Sequence, residues 1–293
     1  MGGRPIKYFP ESATIHSLAV QNGRMRSWRR CDAQERGYMS NRLEAVVADI
    51  VEGIRGALMK HDVTFDEYRQ GIGYIMKTVE AGELPLMIDA FLNTTICQIE
   101  NRNFGGSTST LEGPYFLDDA PFVEGALKTY EDDRHEPLLL RGRVLDLAGA
   151  PVADAVVDVW HSTPDGHYGG FHNNIPRDFY RGKLRTDAAG GYEVRTTVPV
   201  AYKIPDQGPV GALLEAMGRH SWRPAHVHYK VRAPGFHTLT TQAYFEGGEY
   251  VDSDCCEGVH SELIHADVRE SGIKVIETDF ELAPALAHAA AAA

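Results

Sequence analysis

The chain has 293 residues, 43% of them hydrophobic, enough for one large domain or one domain with a smaller annex. Its formal net charge is -12, from 41 acidic against 29 basic residues, and such a surface disfavours nucleic acid and anionic membranes. Cys31, Cys97, Cys255 and Cys256 have neither disulfide-framework nor zinc-ribbon spacing, so reduced thiols are expected. No apolar run reaches the length of a membrane span, and the N-terminus has no h-region or cleavage site; a cytoplasmic protein that is not integral to a membrane is expected.

Residues 1–38 are poorly patterned and read as an extension, with Met39 as the natural start. Their cluster Arg24, Arg26, Arg29 and Arg30 reads as a solvated tail rather than a targeting signal. From Met39 a helical stripe follows through Leu43, Val46, Val47, Ile50, Ile54 and Leu58. Thr64 and Glu67 fit a capping box for a second helix carrying Phe65, Tyr68, Ile72, Ile75, Met76 and Val79. Gly82 closes it, and Pro85 suits the first turn of a third, more apolar helix over 86–100. Residues 39–104 therefore form a helical subdomain.

The glycine- and serine-rich stretch at 105–110 is a loop signal. From residue 138 the period becomes two, and 138–145, 156–161, 192–197, 225–233, 240–245 and 273–280 are expected strands. Turns punctuate them at 147–151, 187–191 and 233–235, and 209–219 reads as a short inserted helix. The expected class is mainly β with an α-helical N-terminal subdomain, the β part being an antiparallel sandwich over 105–282. Residues 283–293 form an alanine-rich tail. Neither a βαβ rhythm nor a dinucleotide fingerprint is present.

The segment Pro224-Ala225-His226-Val227-His228 sets two imidazoles on one face of a strand, because side chains alternate. A surface pair, or one buried and one hydrogen-bonded histidine, would satisfy the same spacing. Tyr168 lies among glycines in Asp165-Gly-His-Tyr-Gly-Gly170, and Tyr202 between Pro199 and Pro205. Either tyrosine alone reads as a packing residue. Imidazole and phenolate together suit a hard, oxidising metal, with ferric iron the best candidate, and so oxygen chemistry rather than hydrolysis.

Longer motifs narrow this. Val159-Trp-His-Ser-Thr-Pro-Asp-Gly-His-Tyr168, Ile175-Pro-Arg-Asp-Phe-Tyr-Arg-Gly-Lys-Leu184, Ile204-Pro-Asp-Gln-Gly-Pro209, Gly218-Arg-His-Ser-Trp-Arg-Pro-Ala-His-Val-His228 and Thr240-Thr-Gln-Ala-Tyr-Phe245 carry a resemblance to the intradiol ring-cleavage dioxygenases. Within that family the chlorocatechol-cleaving branch is the most similar. The resemblance runs from Met39 to about Phe280. It implies the family's sandwich core, with Tyr168, Tyr202, His226 and His228 binding one non-haem Fe(III) per subunit and no organic cofactor. It also implies catalytic roles for Arg223, Tyr202 and Gln242. A substrate pocket of Leu86, Asp89, Ala90, Leu111, Gly113, Pro114, Tyr115, Ile204, Pro205, Arg223 and Cys256 follows from the same likeness.

In that pocket Leu86, Ala90 and Leu111 would serve equally as core residues. Asp89 on an apolar helix is expected to be buried and in need of a partner, for which Tyr115 is one option. The resemblance further implies O2 as co-substrate, chlorocatechols cleaved to chloro-cis,cis-muconates, and activity on catechol and methylcatechols. It implies a homodimer joined through the helical regions, with phospholipid there in some members. A catechol- or hydroxyquinol-cleaving enzyme is the runner-up. A zinc hydrolase is disfavoured by the two tyrosines and the lack of a HExxH helix, and a metal-free binding module ranks lowest.

Overall fold

The computed structural model of the protein describes residues 33–131, 135–172 and 175–285, with side chains from Asn41 onward. The arginine cluster at 24–30 and the tail beyond residue 285 lie outside them. The described residues up to Leu84 cluster as one compact unit and those from Pro85 as another.

The first unit contains α1 (Ala33–Lys60) and α2 (Phe65–Glu80). Helix α1 begins before Met39, where an unpatterned extension was expected. Ala33, Gln34, Glu35 and Arg36 are good helix formers without an apolar stripe, so propensity rather than amphipathicity extends the helix here. The capping box is present. The Thr64 hydroxyl accepts from the Glu67 N–H at 3.3 Å, and the Glu67 carboxylate accepts the Thr64 N–H at 2.8 Å. Large apolar side chains on both helices, including Leu43, Ile50, Ile54, Phe65, Ile75 and Met76, are exposed.

Helix α3 (Leu84–Phe104) carries Pro85 in its first turn and buries Leu86, Ala90, Thr94 and Cys97, a stripe with helical period. Ile88, Leu92, Ile96 and Ile99 are exposed.

The β strands are β1 (Pro137–Asp146), β2 (Val156–His161), β3 (Arg181–Arg185), β4 (Gly191–Thr197), β5 (Tyr202–Lys203), β6 (Trp222–Arg223), β7 (His226–Arg232), β8 (Leu239–Phe245), β9 (Ile264–His265), β10 (Val268–Glu270), β11 (Ile273–Glu277) and β12 (Phe280–Leu282). Between β5 and β6 lies α4 (Pro209–Ala216). One five-stranded sheet has the order β10-β11-β1-β12, with β4 also on β1, and the other has the order β3-β2-β7-β8-β9. Strands β5 and β6 form a separate ribbon.

The sandwich is mixed where an antiparallel one was expected: β1 runs parallel to β11 and β12, and β8 parallel to β9. The expected strand over 273–280 is two strands. The chain breaks at Thr278, whose carbonyl lies over Gly142 so closely that a Cβ there would stand 1.8 Å from its oxygen. Strands β3, β5, β6, β9 and β10 are too short or too polar to show a period in sequence.

The core between the sheets joins Leu138, Leu140 and Val144 of β1 and Val194 of β4 to Val157 and Val159 of β2 and Val227, Tyr229 and Val231 of β7. This arrangement positions the site. With the odd-numbered side chains of β2, β7 and β8 committed to the core, the even-numbered ones must emerge on the opposite face of that sheet.

Candidate metal and substrate site

On that opposite face, strand register sets Trp160 and Gln242 on either side of His228, and Tyr244 beside His226. The Trp160 ring lies flat on His228, with centroids 4.7 Å apart and planes at 6°. Tyr202 comes from the small ribbon, where it pairs with Arg223. Tyr168 is delivered by the loop after β2. In its first turn Gly166 has φ +76° and passes so close to Tyr202 that a Cβ would lie 3.0 Å from the tyrosine Cβ. Glycine is needed there on both counts.

The four side chains converge. The two Nε2 atoms of His226 and His228 are 3.0 Å apart, and the Tyr168 hydroxyl is 3.4 Å from His228 Nε2. The Tyr202 and Tyr168 rings meet edge-on, with centroids 5.4 Å apart. All four residues are buried. His226 Nδ1 donates to the Pro224 carbonyl at 2.7 Å, which leaves the Nε2 lone pair facing the other ligating atoms. Burial, then the charge of Arg223, lowers the His226 pKa to about 3. Burial likewise holds His228 neutral. Burial pushes both phenols up, so neither ionises here without a cation to favour the phenolate. Two neutral imidazoles and two phenols aimed at one point are a donor set that a hard trivalent cation satisfies.

Arg223 lies against this cluster. Burial alone would lower its pKa, but Asp254, then Tyr244 and Tyr202, raise it well above the ordinary value. Its Nε and Nη2 donate to the two Asp254 oxygens at 3.1 and 3.0 Å, Nη2 also to Gln242 Oε1 at 3.1 Å, and Nη1 points at His226 Nε2 from 3.3 Å. Gln242 Nε2 donates to the Leu111 carbonyl at 2.5 Å and faces His228 Nδ1 at 3.1 Å.

Around the cluster, Tyr115 stacks on Tyr168 with centroids 4.2 Å apart, and a Cβ at Gly113 would stand 3.6 Å from the His228 ring. Ile204 is buried just past Tyr202, Pro205 is half-buried, and Cys256 is near enough to act electrostatically on both Tyr202 and Arg223. Leu86 and Ala90 are buried on α3. Pro114 is exposed. Asp89 is also exposed, which corrects the expectation of a buried carboxylate needing a partner; partial desolvation nonetheless raises its pKa. One turn of helix separates it from Leu86 and puts it beside the buried stripe rather than on it.

The sequence reading assigned no role to Trp160, Tyr244, Asp254 or Arg181. Register places Trp160 and Tyr244 beside the histidines, and period-two alternation could have found them. Asp254 sits in a loop and carries no such signal. Arg181 is buried on β3. Its Nη1 donates to the Tyr115 carbonyl at 2.9 Å and its Nη2 to the Gly169 carbonyl at 2.7 Å, which ties together the segments bearing the two stacked tyrosines.

Asp254, Cys255 and Cys256 also gather ligating atoms within 4.8 Å of one another. Both Asp254 oxygens are already engaged by Arg223 and by the N–H groups of Cys256 and Gly258, so that trio differs in kind from the cluster of two tyrosines and two histidines.

The family profile described as "Dioxygenase" matches residues 111–284, and that described as "Catechol dioxygenase N terminus" matches residues 40–108. The chain is 53% identical over 253 residues to a chlorocatechol 1,2-dioxygenase of Cupriavidus pinatubonensis (strain JMP 134 / LMG 1197), covering 86% of this chain and 99% of that one. It is also 53% identical over 250 residues to a chlorocatechol 1,2-dioxygenase of Pseudomonas sp. (strain P51), covering 85% and 100%. The crystal structure of chlorocatechol 1,2-dioxygenase from Pseudomonas putida superposes with a TM-score of 0.80 at 51% identity, covering 83% of this chain and 98% of that one. The chain belongs to the intradiol ring-cleavage dioxygenases, non-haem iron oxidoreductases. Among the described residues no helix is long and apolar enough to cross a membrane.

Proposed function

We infer that this enzyme cleaves chlorocatechols with O2, between the two hydroxyl-bearing carbons, to chloro-cis,cis-muconates, and that it accepts catechol and methylcatechols as further substrates. The observation that carries the reading is the convergence of Tyr168, Tyr202, His226 and His228 beside a buried guanidinium, in a chain about half identical to chlorocatechol-cleaving relatives.

The four residues would hold one Fe(III) per subunit, with no organic cofactor. Bound there, the metal supplies Lewis acidity and a template on which the diol and O2 react. The protein supplies the rest. Tyr202 sits at the cluster edge, ring to ring with Tyr168 and paired through its strand with Arg223, so its phenolate is the base suited to take a proton from the diol. Tyr168 is pinned between Tyr115 and His228 and is suited to stay in place. Arg223, kept protonated by Asp254, presents Nη1 towards the centre and stabilises negative charge developing on the ring. Gln242 holds Arg223 and His228 at fixed separation. Leu111, Gly113, Tyr115, Ile204 and Cys256 line the substrate side, and Leu86 and Ala90 contribute from α3. Both oxygen atoms of O2 enter the product, which balances the ring opening without any further reductant.

The domain reading is a helical part over 39–104 and a catalytic sandwich over 105–282. A homodimer joined through the helical part is supported by the exposed apolar side chains of α1, α2 and α3, which a second copy or bound phospholipid would cover. A cytoplasmic location is consistent with the free thiols of Cys97, Cys255 and Cys256, the cysteines among the described residues.

The test is turnover of iron-quantified protein on 3-chlorocatechol, 4-chlorocatechol, catechol and hydroxyquinol under labelled O2. Chloromuconate carrying both labelled atoms is the expected product. A preference for hydroxyquinol would move the substrate assignment, and no cleavage of any diol by fully loaded protein would remove it.

A further inference from the structure

Cys255 and Cys256 occupy the two central positions of a turn closed by the Glu257 N–H donating to the Asp254 carbonyl at 3.0 Å. The turn sets both sulfurs on one side, 3.7 Å apart and only 2% and 8% exposed. That separation is a non-bonded one, well beyond the roughly 2 Å of a disulfide. On one side of the pair is the catalytic cluster. Cys256 donates its N–H to Asp254 Oδ1 at 3.1 Å, and the same oxygen accepts from Arg223 Nε. On the other side is a cleft of about 490 Å³ that reaches Cys255 past His220, Ser253, Glu257 and Val259. The dithiol thus stands between an outer cleft and the residue that holds Arg223.

The chemistry of a ligand follows from what is free to bind. The Asp254 carboxylate is saturated by Arg223 and two backbone N–H groups, so it offers nothing to a cation. Among the described residues no other side chain offers a third ligating atom to the pair. A tetrahedral zinc site needs four ligands and is not built here. Two soft thiols side by side suit a centre that takes two sulfurs and nothing more from the protein.

We propose that Cys255 and Cys256 form a chelating site for a soft thiophilic centre of the trivalent-arsenical class, entered from the outer cleft, and that its occupancy shuts down turnover by displacing the Asp254 turn that holds Arg223. The step is a condensation. An organoarsenic(III) oxide and two thiols form two As–S bonds, the arsenic–oxygen bonds break, and the oxygen leaves as water with both thiol protons. Arsenic remains trivalent, so no oxidant or reductant is consumed.

The experiment uses iron-loaded full-length protein and phenylarsine oxide, read by intact mass, peptide mapping and turnover. One adduct per chain is expected, mapped to residues 255–256, resistant to excess monothiol and released by a dithiol. Turnover should fall about tenfold or more with the adduct and return on its release, as expected for loss of one preorganised charge-stabilising group. C255S, which lies outside the substrate-facing set, should keep its turnover but form only an adduct that monothiol removes, as any single thiol would. C256S should likewise form only a monothiol-labile adduct. A monothiol-resistant adduct in either variant, or none in the unsubstituted protein, would overturn the chelate. Full turnover in the adduct would overturn its connection to Arg223. Because the mass readout does not depend on which diol is cleaved, failure of this site and failure of the substrate assignment are distinguishable.

Discussion

Arg223 and Asp254 meet in a two-point ion pair, Nε to Oδ1 at 3.1 Å and Nη2 to Oδ2 at 3.0 Å, with both side chains almost wholly removed from water. Burial opposes both charges, and the mutual attraction overcomes it: the Asp254 pKa ends lowered and that of Arg223 raised. The guanidinium facing His226 therefore depends on a carboxylate from a distant loop.

Replacing Asp254 with Asn should leave a buried cation uncompensated. Removing one partner of such a pair costs about 3–5 kcal/mol. We expect D254N to unfold at lower urea concentration and to lose turnover by a larger factor than it loses iron. A variant with full turnover would show that Arg223 does not act through this pair.

Tyr202→Phe removes the hydroxyl of a ring that meets Tyr168 edge-on and whose strand pairs with Arg223. The expected result is a changed visible absorption of the iron-loaded protein and turnover lower by about a hundredfold or more, the range for loss of a general base. Absorption spectra and iron content together separate loss of the base from loss of the metal.

Arg181→Met keeps much of the volume but removes both donors to the Tyr115 and Gly169 carbonyls. Each buried carbonyl left without a partner costs about 1–3 kcal/mol. The stacked Tyr115–Tyr168 pair should loosen, seen as lower iron retention under chelator challenge. Arg181→Lys should restore little, because one ammonium lacks the fork that reaches both carbonyls.

His161 contributes to the acid response, outside the cluster of His226 and His228. Its Nδ1 meets the Ser162 carbonyl at 2.8 Å and its Nε2 the Thr196 hydroxyl at 2.7 Å, and burial lowers its pKa from 6.5 to about 4. The neutral form is the folded one, so the unfolded chain binds more protons between those values. Stability attached to this group is whole above about pH 6.5 and is lost as pH falls towards 4, at up to about 1.4 kcal/mol per pH unit. The melting temperature of H161Q should fall less steeply over that window than that of the unsubstituted protein. Parallel profiles would refute the assignment.

Local periodicity and capping make much of the architecture legible in the sequence alone. The Thr64–Glu67 box, the apolar stripes of α1 and α2, and the alternation in β1, β2, β4, β7 and β8 are read over a few neighbouring residues. That same alternation placed His226 and His228 on one face, away from Val227 and Tyr229, and the structure has them there. The start of α1 was missed because Ala33–Arg36 favour helix without any stripe, and the split between β11 and β12 because the Thr278 break has no local signature.

What the sequence by itself determined was therefore the residue chemistry and every relationship carried by chain neighbours: helix caps, strand faces and the two imidazoles. What only the tertiary structure decided was which distant segments close on that face. Trp160 reaches His228 through strand register, Tyr202 reaches Tyr168 across two loops, Asp254 reaches Arg223 from another, and Asp89 turns out to solvent. The physical reason is range. Periodicity fixes the direction of a side chain relative to its neighbours, whereas pairing between segments depends on the packing of the whole core, which no short window of residues contains.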